Sequence, residues 1–291
     1  MELTIKIKDN PLEKQEIIFG NNKNKALITK ADSNDSAENI ISTLQLRLSK
    51  PKSIILIFGG ASGNLDTSDT SITILHQILD DVLQYASDND AIIIDGGTKS
   101  GIMEIVGQRA SKIEQSKKPI IIGVAPAGLI SLSKSTNQED TDKNNDDNDG
   151  ENDKVLLDPN HSHFVLVEGD SWGDETIKLF EIASALFTNG IPIVALLVGG
   201  GRISQKEILF CINQNWPIIV IEKTGCLADE ITSYKNQKQT FDKISSSNIN
   251  NIKKIISYSS LKLFPSDSNQ IKSFEQFLLC ALNYDPLLKS A

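Results

Sequence analysis

The stretch PIVALLVGGGRIS, Pro192–Ser204, sets a run of aliphatic residues directly against three glycines. A run of that kind reads as a strand buried on both faces, the form that parallel sheets take in sequence. Glycine at its end lets the backbone turn sharply and come close to a ligand. A helix that follows offers free N–H groups and a dipole that favour an anion. The same arrangement occurs three more times: SIILIFGGASG at Ser53–Gly63, AIIIDGGTKSGIM at Ala91–Met103 and PIIIGVAPAG at Pro119–Gly128. Repetition at corresponding strand ends points to one cleft built for a phosphate-bearing molecule.

Outward from these runs, strands and helices alternate. Strands are expected at Ile54–Phe58, Ala91–Ile94, Ile120–Val124, Phe164–Val167, Ile193–Val198 and Ile218–Ile221. Helices are expected at Ser71–Tyr85, Gly101–Gln115, Asp174–Phe187 and Ser204–Asn213. Such β–α units imply an α/β fold, a Rossmann-like, doubly wound, mainly parallel sheet in three layers. Short strands at Glu2–Lys8, Glu16–Phe19 and Ala26–Thr29, then a helix at Ala37–Leu48, make residues 1–50 a β-rich N-terminal extension. Residues 51–235 form the ligand-binding domain, and 236–291, with helical spacing in Ile252–Tyr258 and Phe274–Leu282, a helical C-terminal appendage. Ser131–Lys154 holds eight acids against three lysines and has no large apolar residue after Leu132. It buries too little surface to order itself, and it lacks the flanking helices and terminal glutamate of an EF-hand, so it reads as a disordered acidic insertion.

Composition narrows the partners. A net charge of −9 argues against nucleic acid, which needs a basic surface. No apolar run approaches about 20 residues, so no membrane span is expected. The N-terminus lacks a signal-peptide pattern, and a cytoplasmic location is the expectation. Cys211, Cys226 and Cys280 have neither disulfide nor metal spacing. Cys211 and Cys280 read as core residues, while Cys226 borders the cleft.

The candidate ligand contacts follow from the turns. Gly59, Gly60, Ala61, Ser62 and Gly63 present backbone N–H groups and a hydroxyl, although G-G-x-x-G departs from the dinucleotide fingerprint. Asp95 either accepts ribose hydroxyls or caps its own turn. Gly96, Gly97 and Thr98 extend the second turn, and Pro126 and Gly128 end the third. Gly199, Gly200, Gly201, Arg202 and Ser204 form the fourth. Arg202, one of three arginines, follows the glycines directly, and guanidinium is a good fork for phosphate. Arg109 lies about two turns into its helix and reads as a structural partner of an acid. Gly107 reads as a site of close helix packing. His161 and His163 would share a face if both lay in one strand. No third ligand beyond Asp158 favours zinc, so no metal site is assigned; His163 is the candidate ligand contact and His161 the brace of the loop. Asp170, Trp172 and Glu175 are candidates for the rim.

GGTKSGIMEIVG, IGVAPAG, LDPNHSHFVLVEGDSWGDE, VALLVGGGRIS and TGCLADEI, in this order, resemble the LSDAT branch of the SLOG superfamily. That is the Rossmann-like domain at the cytoplasmic N-terminus of melastatin-type TRP channels, also found as stand-alone prokaryotic proteins. The resemblance runs from about Ser53 to Ile231 and is most specific at Asp158–Glu175. It implies a sensor of a nucleotide-derived ligand such as ADP-ribose, with Gly225 of TGCLADEI beside the cleft, Mg²⁺ as an optional companion and a homo-oligomer as an option. A related branch, the LOG-type phosphoribohydrolases, carries PGGxGTxxE. Here Gly200–Glu207 keeps the glutamate spacing with Ser204 in place of threonine, and the preceding helix supplies Lys178 but no arginine. Glu207 is therefore the candidate catalytic residue of an alternative reading, nucleotide N-glycosidic cleavage; more simply, an acid in the first turn of a helix is favoured by the dipole. A structural interaction module with a vestigial cleft is the third reading.

Overall fold

Eleven strands and eight helices appear in the computed structural model, which describes residues 12–19, 24–46, 51–60, 69–132, 154–187, 190–236, 246–265 and 274–283. The expected strand Glu2–Lys8, most of the acidic insertion and Ala61, Ser62 and Gly63 lie outside these residues. Along the chain come β1 (Lys14–Phe19), β2 (Asn24–Ala31), α1 (Ala37–Thr43), β3 (Ser53–Gly59), α2 (Asp69–Asp88), β4 (Ala91–Asp95) and α3 (Gly101–Ala110). Next are β5 (Ile120–Pro126), β6 (Ile130–Ser131), β7 (Val155–Leu156), β8 (His163–Val167), α4 (Thr176–Leu186), β9 (Ile193–Val198) and α5 (Arg202–Asn213). The chain continues through β10 (Ile218–Ile221), α6 (Cys226–Lys235), α7 (Ser246–Ser257), β11 (Leu261–Phe264) and α8 (Phe274–Leu282).

Nine strands form one sheet in the order β1-β2-β8-β5-β4-β3-β9-β10-β11, parallel throughout except for β1 against β2. From β3 the chain winds outward through β4, β5 and β8, then returns to lay β9 on the other side of β3. The direction of winding reverses there, which opens a crevice above the carboxyl ends of β3 and β9. β2 lies parallel to β8, so the N-terminal strand pair continues this same sheet.

Alternation along the strands builds two apolar layers. Ile54, Leu56 and Phe58 face α1, α4, α5, α6 and α7, whereas Ile55 and Ile57 face α2, α3 and α8. Each such side chain contributes about 1.5–3 kcal/mol on burial, and a slip of one residue would exchange the two layers. The register is thereby fixed, and with it the level at which each glycine turn leaves the sheet.

Several elements differ from the sequence-based expectation. α1 stops at Thr43 rather than near Leu48, and Gln45 beyond it takes a positive φ of 61°. α3 ends at Ala110 rather than Gln115. The C-terminal tail contributes a strand, β11, beside its helices. Cys211 is in the core as expected, but Cys280 is exposed on the outer face of α8.

Candidate functional site

The end of β9 shapes the site. Gly199 and Gly200 turn the chain at φ of 63° and 90°, and a Cβ on Gly200 would stand 2.9 Å from that of Ser204. α5 then begins at Arg202, with Gly201 as an N-cap that has no side chain to satisfy the helix's first N–H groups. The Ser204 hydroxyl donates to the Gly59 carbonyl at 3.4 Å, and Gly60 N–H donates to Val198 at 3.3 Å. The Gly60 carbonyl accepts from Ile102 N–H at 3.2 Å, which brings the start of α3 to the same place. Arg202 is exposed and has no hydrogen-bond or ion-pair partner among the described residues.

These ends line a cavity of about 380 Å³. β3 supplies Ile57, Phe58, Gly59 and Gly60, and the turn after β4 supplies Gly96, Thr98 and Ser100. Met103, Val124, Val155 and Leu179 make apolar walls. Trp172 stands at the mouth, 45% exposed. α5 contributes Gly201, Arg202, Ile203, Ser204 and, one turn deeper, Glu207.

Two carboxyls share this cavity. Glu207 is 8% exposed and makes no hydrogen bond or ion pair among the described residues. Burial, then the charge of Glu175, push its carboxyl up to about 8, so it is a neutral acid at pH 7. Glu175 is also raised, by burial first, while hydrogen bonds from backbone N–H groups, including that of Gly173 at 2.8 Å, oppose the shift. Glu207 lies in the second turn of α5, because the helix starts at Arg202; the dipole does not account for it.

The wall formed by Gly96–Ser100 is clamped from behind. Asp158 N–H donates to Gly97, Lys99 N–H donates to Leu156, and Thr98 bridges Leu157. Below this clasp the fully buried His161 ring joins Asp95 at 2.9 Å through Nε2 and Asp158 at 3.1 Å through Nδ1. Burial alone would lower His161, but the Asp95 charge and the hydrogen bonds and charge of Asp158 prevail and raise it to about 10. His161 is thus a buried cation between two carboxylates. Gly107 packs against this group so closely that a Cβ there would lie 1.9 Å from Asp158 Oδ1.

The structure divides the sequence candidates. Gly59, Gly60, Gly96, Thr98, Gly201, Arg202, Ser204 and Glu207 line the cavity. Asp95 does not: it caps its own turn by accepting from Gly97 N–H at 2.7 Å and holds His161. His163 opens β8, paired with Leu27 and Ile122 at the level where the strands begin, far from their carboxyl ends. Burial lowers it to about 4, against a backbone hydrogen bond at Leu44. His161 and His163 do not share a strand, since β8 starts at His163. Gly128 N–H donates to Gly169, while Pro126 closes β5 outside the lining. Gly199, Gly200 and Gly225 serve the start of α6. Arg109 pairs with Asp80, and Lys178 donates to the Asp35 carbonyl at 2.6 Å, away from the cavity. Residue-type reasoning missed the apolar walls, of which Phe58 and Val124 were legible as last inward positions of their strands. Val155 and Leu179 carry no local signal.

The family model for "SLOG in TRPM, prokaryote" matches residues 52–268. The chain belongs to the SLOG-in-TRPM family. The matched span contains every cavity-lining residue of this SLOG domain. The chain is 24% identical over 225 residues to a transient receptor potential cation channel subfamily M member-like 2 of Nematostella vectensis, covering 68% of this chain and 14% of that protein. It is 27% identical over 227 residues to the subfamily M member 2 channel of Mus musculus, again 68% and 14%. A transient receptor potential channel of Caenorhabditis elegans is 26% identical over 211 residues, 67% of this chain and 10% of the channel. The SLOG chain therefore corresponds to a small part of these channels. No helix among its described residues is long and apolar enough to cross a membrane.

Proposed function

We propose that this SLOG domain binds a nucleotide-derived ligand, an ADP-ribose-like or other phosphoribosyl compound, in the cavity at the winding reversal. One observation carries the reading: the side-chain-free start of α5 and Arg202, which has no partner among the described residues, face a cavity that also offers apolar walls and Trp172. The helix start and guanidinium suit phosphate oxygens, whereas Phe58, Met103 and Trp172 suit a flat base. The volume falls within the range of small-molecule sites. Titration calorimetry with ADP-ribose, NAD, AMP and cyclic nucleotides tests it. Arg202→Ala removes a charge-assisted contact of about 1.5–3 kcal/mol and is expected to weaken the phosphorylated ligand roughly ten- to hundredfold. Absence of binding by the unaltered protein to every phosphorylated nucleoside refutes the reading.

A second reading, N-glycosidic cleavage, draws on the neutral acid Glu207 in the same cavity. Against it, Lys178 is committed to Asp35 and Glu181, so α4 sends no cation to the site. Base release from AMP-like substrates, abolished by Glu207→Gln, would establish it; no release excludes it.

A further inference from the structure

We propose that Glu207 meets its anionic ligand as the neutral acid, so that this site takes up a proton together with the ligand. The proposal rests on the nucleotide reading above and specifies how the site discriminates. The ionisable groups of the lining are Glu175, Arg202 and Glu207. Arg202 stands exposed in the first turn of α5, and the charge that acts on Glu207 is that of Glu175. Glu175 Oε2 already accepts from Gly173 N–H, whereas the Glu207 carboxyl has no partner among the described residues and is nine-tenths buried in the cavity wall. Ionised, it would place a second carboxylate beside Glu175 in a volume that must also hold a phosphate. Protonated, it removes that repulsion and gains an O–H donor for a phosphate or ribose oxygen.

The surroundings leave little else to titrate. On α5 the Cys211 thiol faces Glu207 and is itself pushed far up by burial and by that carboxyl. The N-cap of α4 is Glu175, which the charge of Asp174 raises further. β3, the turn after β4, β5, β7 and α3 present only uncharged residues to the cavity. Burial and Glu175 hold Glu207 at about 8, which places the effect in the mildly alkaline range.

ADP-ribose is a suitable probe, because its phosphodiester groups do not titrate at neutral or mildly alkaline pH. Calorimetry of the full chain in buffers of different ionisation enthalpy counts the protons absorbed on binding. Uptake is expected to be near zero at neutral pH and to approach one proton per ligand above about pH 8, with affinity falling about tenfold per further pH unit. In Glu207→Gln both the uptake and the slope are expected to vanish. Binding that is flat with pH, or uptake that persists in Glu207→Gln, overturns the proton coupling and leaves the nucleotide reading standing. Absence of ADP-ribose binding at any pH overturns the coupling, and the nucleotide reading falls only if every other phosphorylated nucleoside also fails to bind.

Discussion

Replacing His161 by leucine tests the buried Asp95–His161–Asp158 group most directly. The ring is fully buried and supplies both carboxylates with a hydrogen bond, at 2.9 and 3.1 Å. Without it Asp95 keeps only Gly97 N–H, Asp158 keeps Asn160 N–H, and two buried negative charges face each other with no cation. Removing one partner from a buried ion pair costs about 3–5 kcal/mol. For a chain of 291 residues that corresponds to a fall in Tm of roughly 5–8 °C. Scanning calorimetry at neutral pH measures it.

The pH profile separates a charged ring from a merely well-packed one. The folded state raises His161 from 6.5 to about 10, so it holds a proton that the unfolded chain releases across that interval. The stability this contributes is complete below 6.5 and is lost as pH climbs through about 10. The difference in unfolding free energy between the unaltered protein and His161→Gln is therefore expected to shrink over this window. A Tm of His161→Leu within about 2 °C of the parent, or a difference that does not change with pH, would refute the buried cation.

Two glycines separate folding from binding. Gly107→Ala gains about 1 kcal/mol of helix propensity but drives its Cβ into an Asp158 carboxyl pinned by His161 and Asn160. A net loss of about 1–3 kcal/mol in denaturant unfolding is expected; a stabilised variant would contradict the packing. At Gly201 an added Cβ meets nothing within 4 Å, and the φ of −135° suits an alanine. Gly201→Ala is therefore expected to unfold within about 0.5 kcal/mol of the parent yet to bind ADP-ribose more weakly, as the methyl enters the space before the α5 N–H groups. Equal affinity in calorimetry would show that the ligand does not approach there.

The sheet was legible because burial on both faces leaves a near-continuous apolar run, and β3, β4, β5, β9 and β10 fall within two residues of expectation. β11 escaped for the converse reason. Its four residues, LKLF, bury only Leu261 and Phe264 and sit between two helical patterns. The cavity was legible where chemistry and chain order coincide, as at Gly201-Arg202. It was not where a contact depends on distant chain. His161 and Asp95 are 66 residues apart, and no local pattern brings them together. Alternation does not apply to the two histidines, because the Asp158–Ser162 segment is a turn: His161 braces it through Asp95 and Asp158, as its loop position suggested, while His163 starts β8 away from the cavity.

The triple glycine shows why glycine turns locate a ligand imprecisely. Gly199 and Gly200 carbonyls accept from Ala228 and Leu227 N–H at 2.9 and 3.2 Å, and Gly199 N–H is taken by the Thr224 hydroxyl at 2.8 Å. Two of the first N–H groups of α6 are thus taken by protein carbonyls. Gly200 is glycine because of its φ and its contact with Ser204, both demands of the fold. Gly201 differs: its φ of −135° is not left-handed, and an added Cβ would meet nothing within 4 Å. Among three adjacent glycines, then, two build the turn and cap a neighbouring helix, and the third leaves room beside Arg202 at the one helix start that β9 delivers into the cavity. A glycine whose added Cβ would meet only open space, next to an arginine without a partner among the described residues, points to a ligand more specifically than the glycine-rich run as a whole.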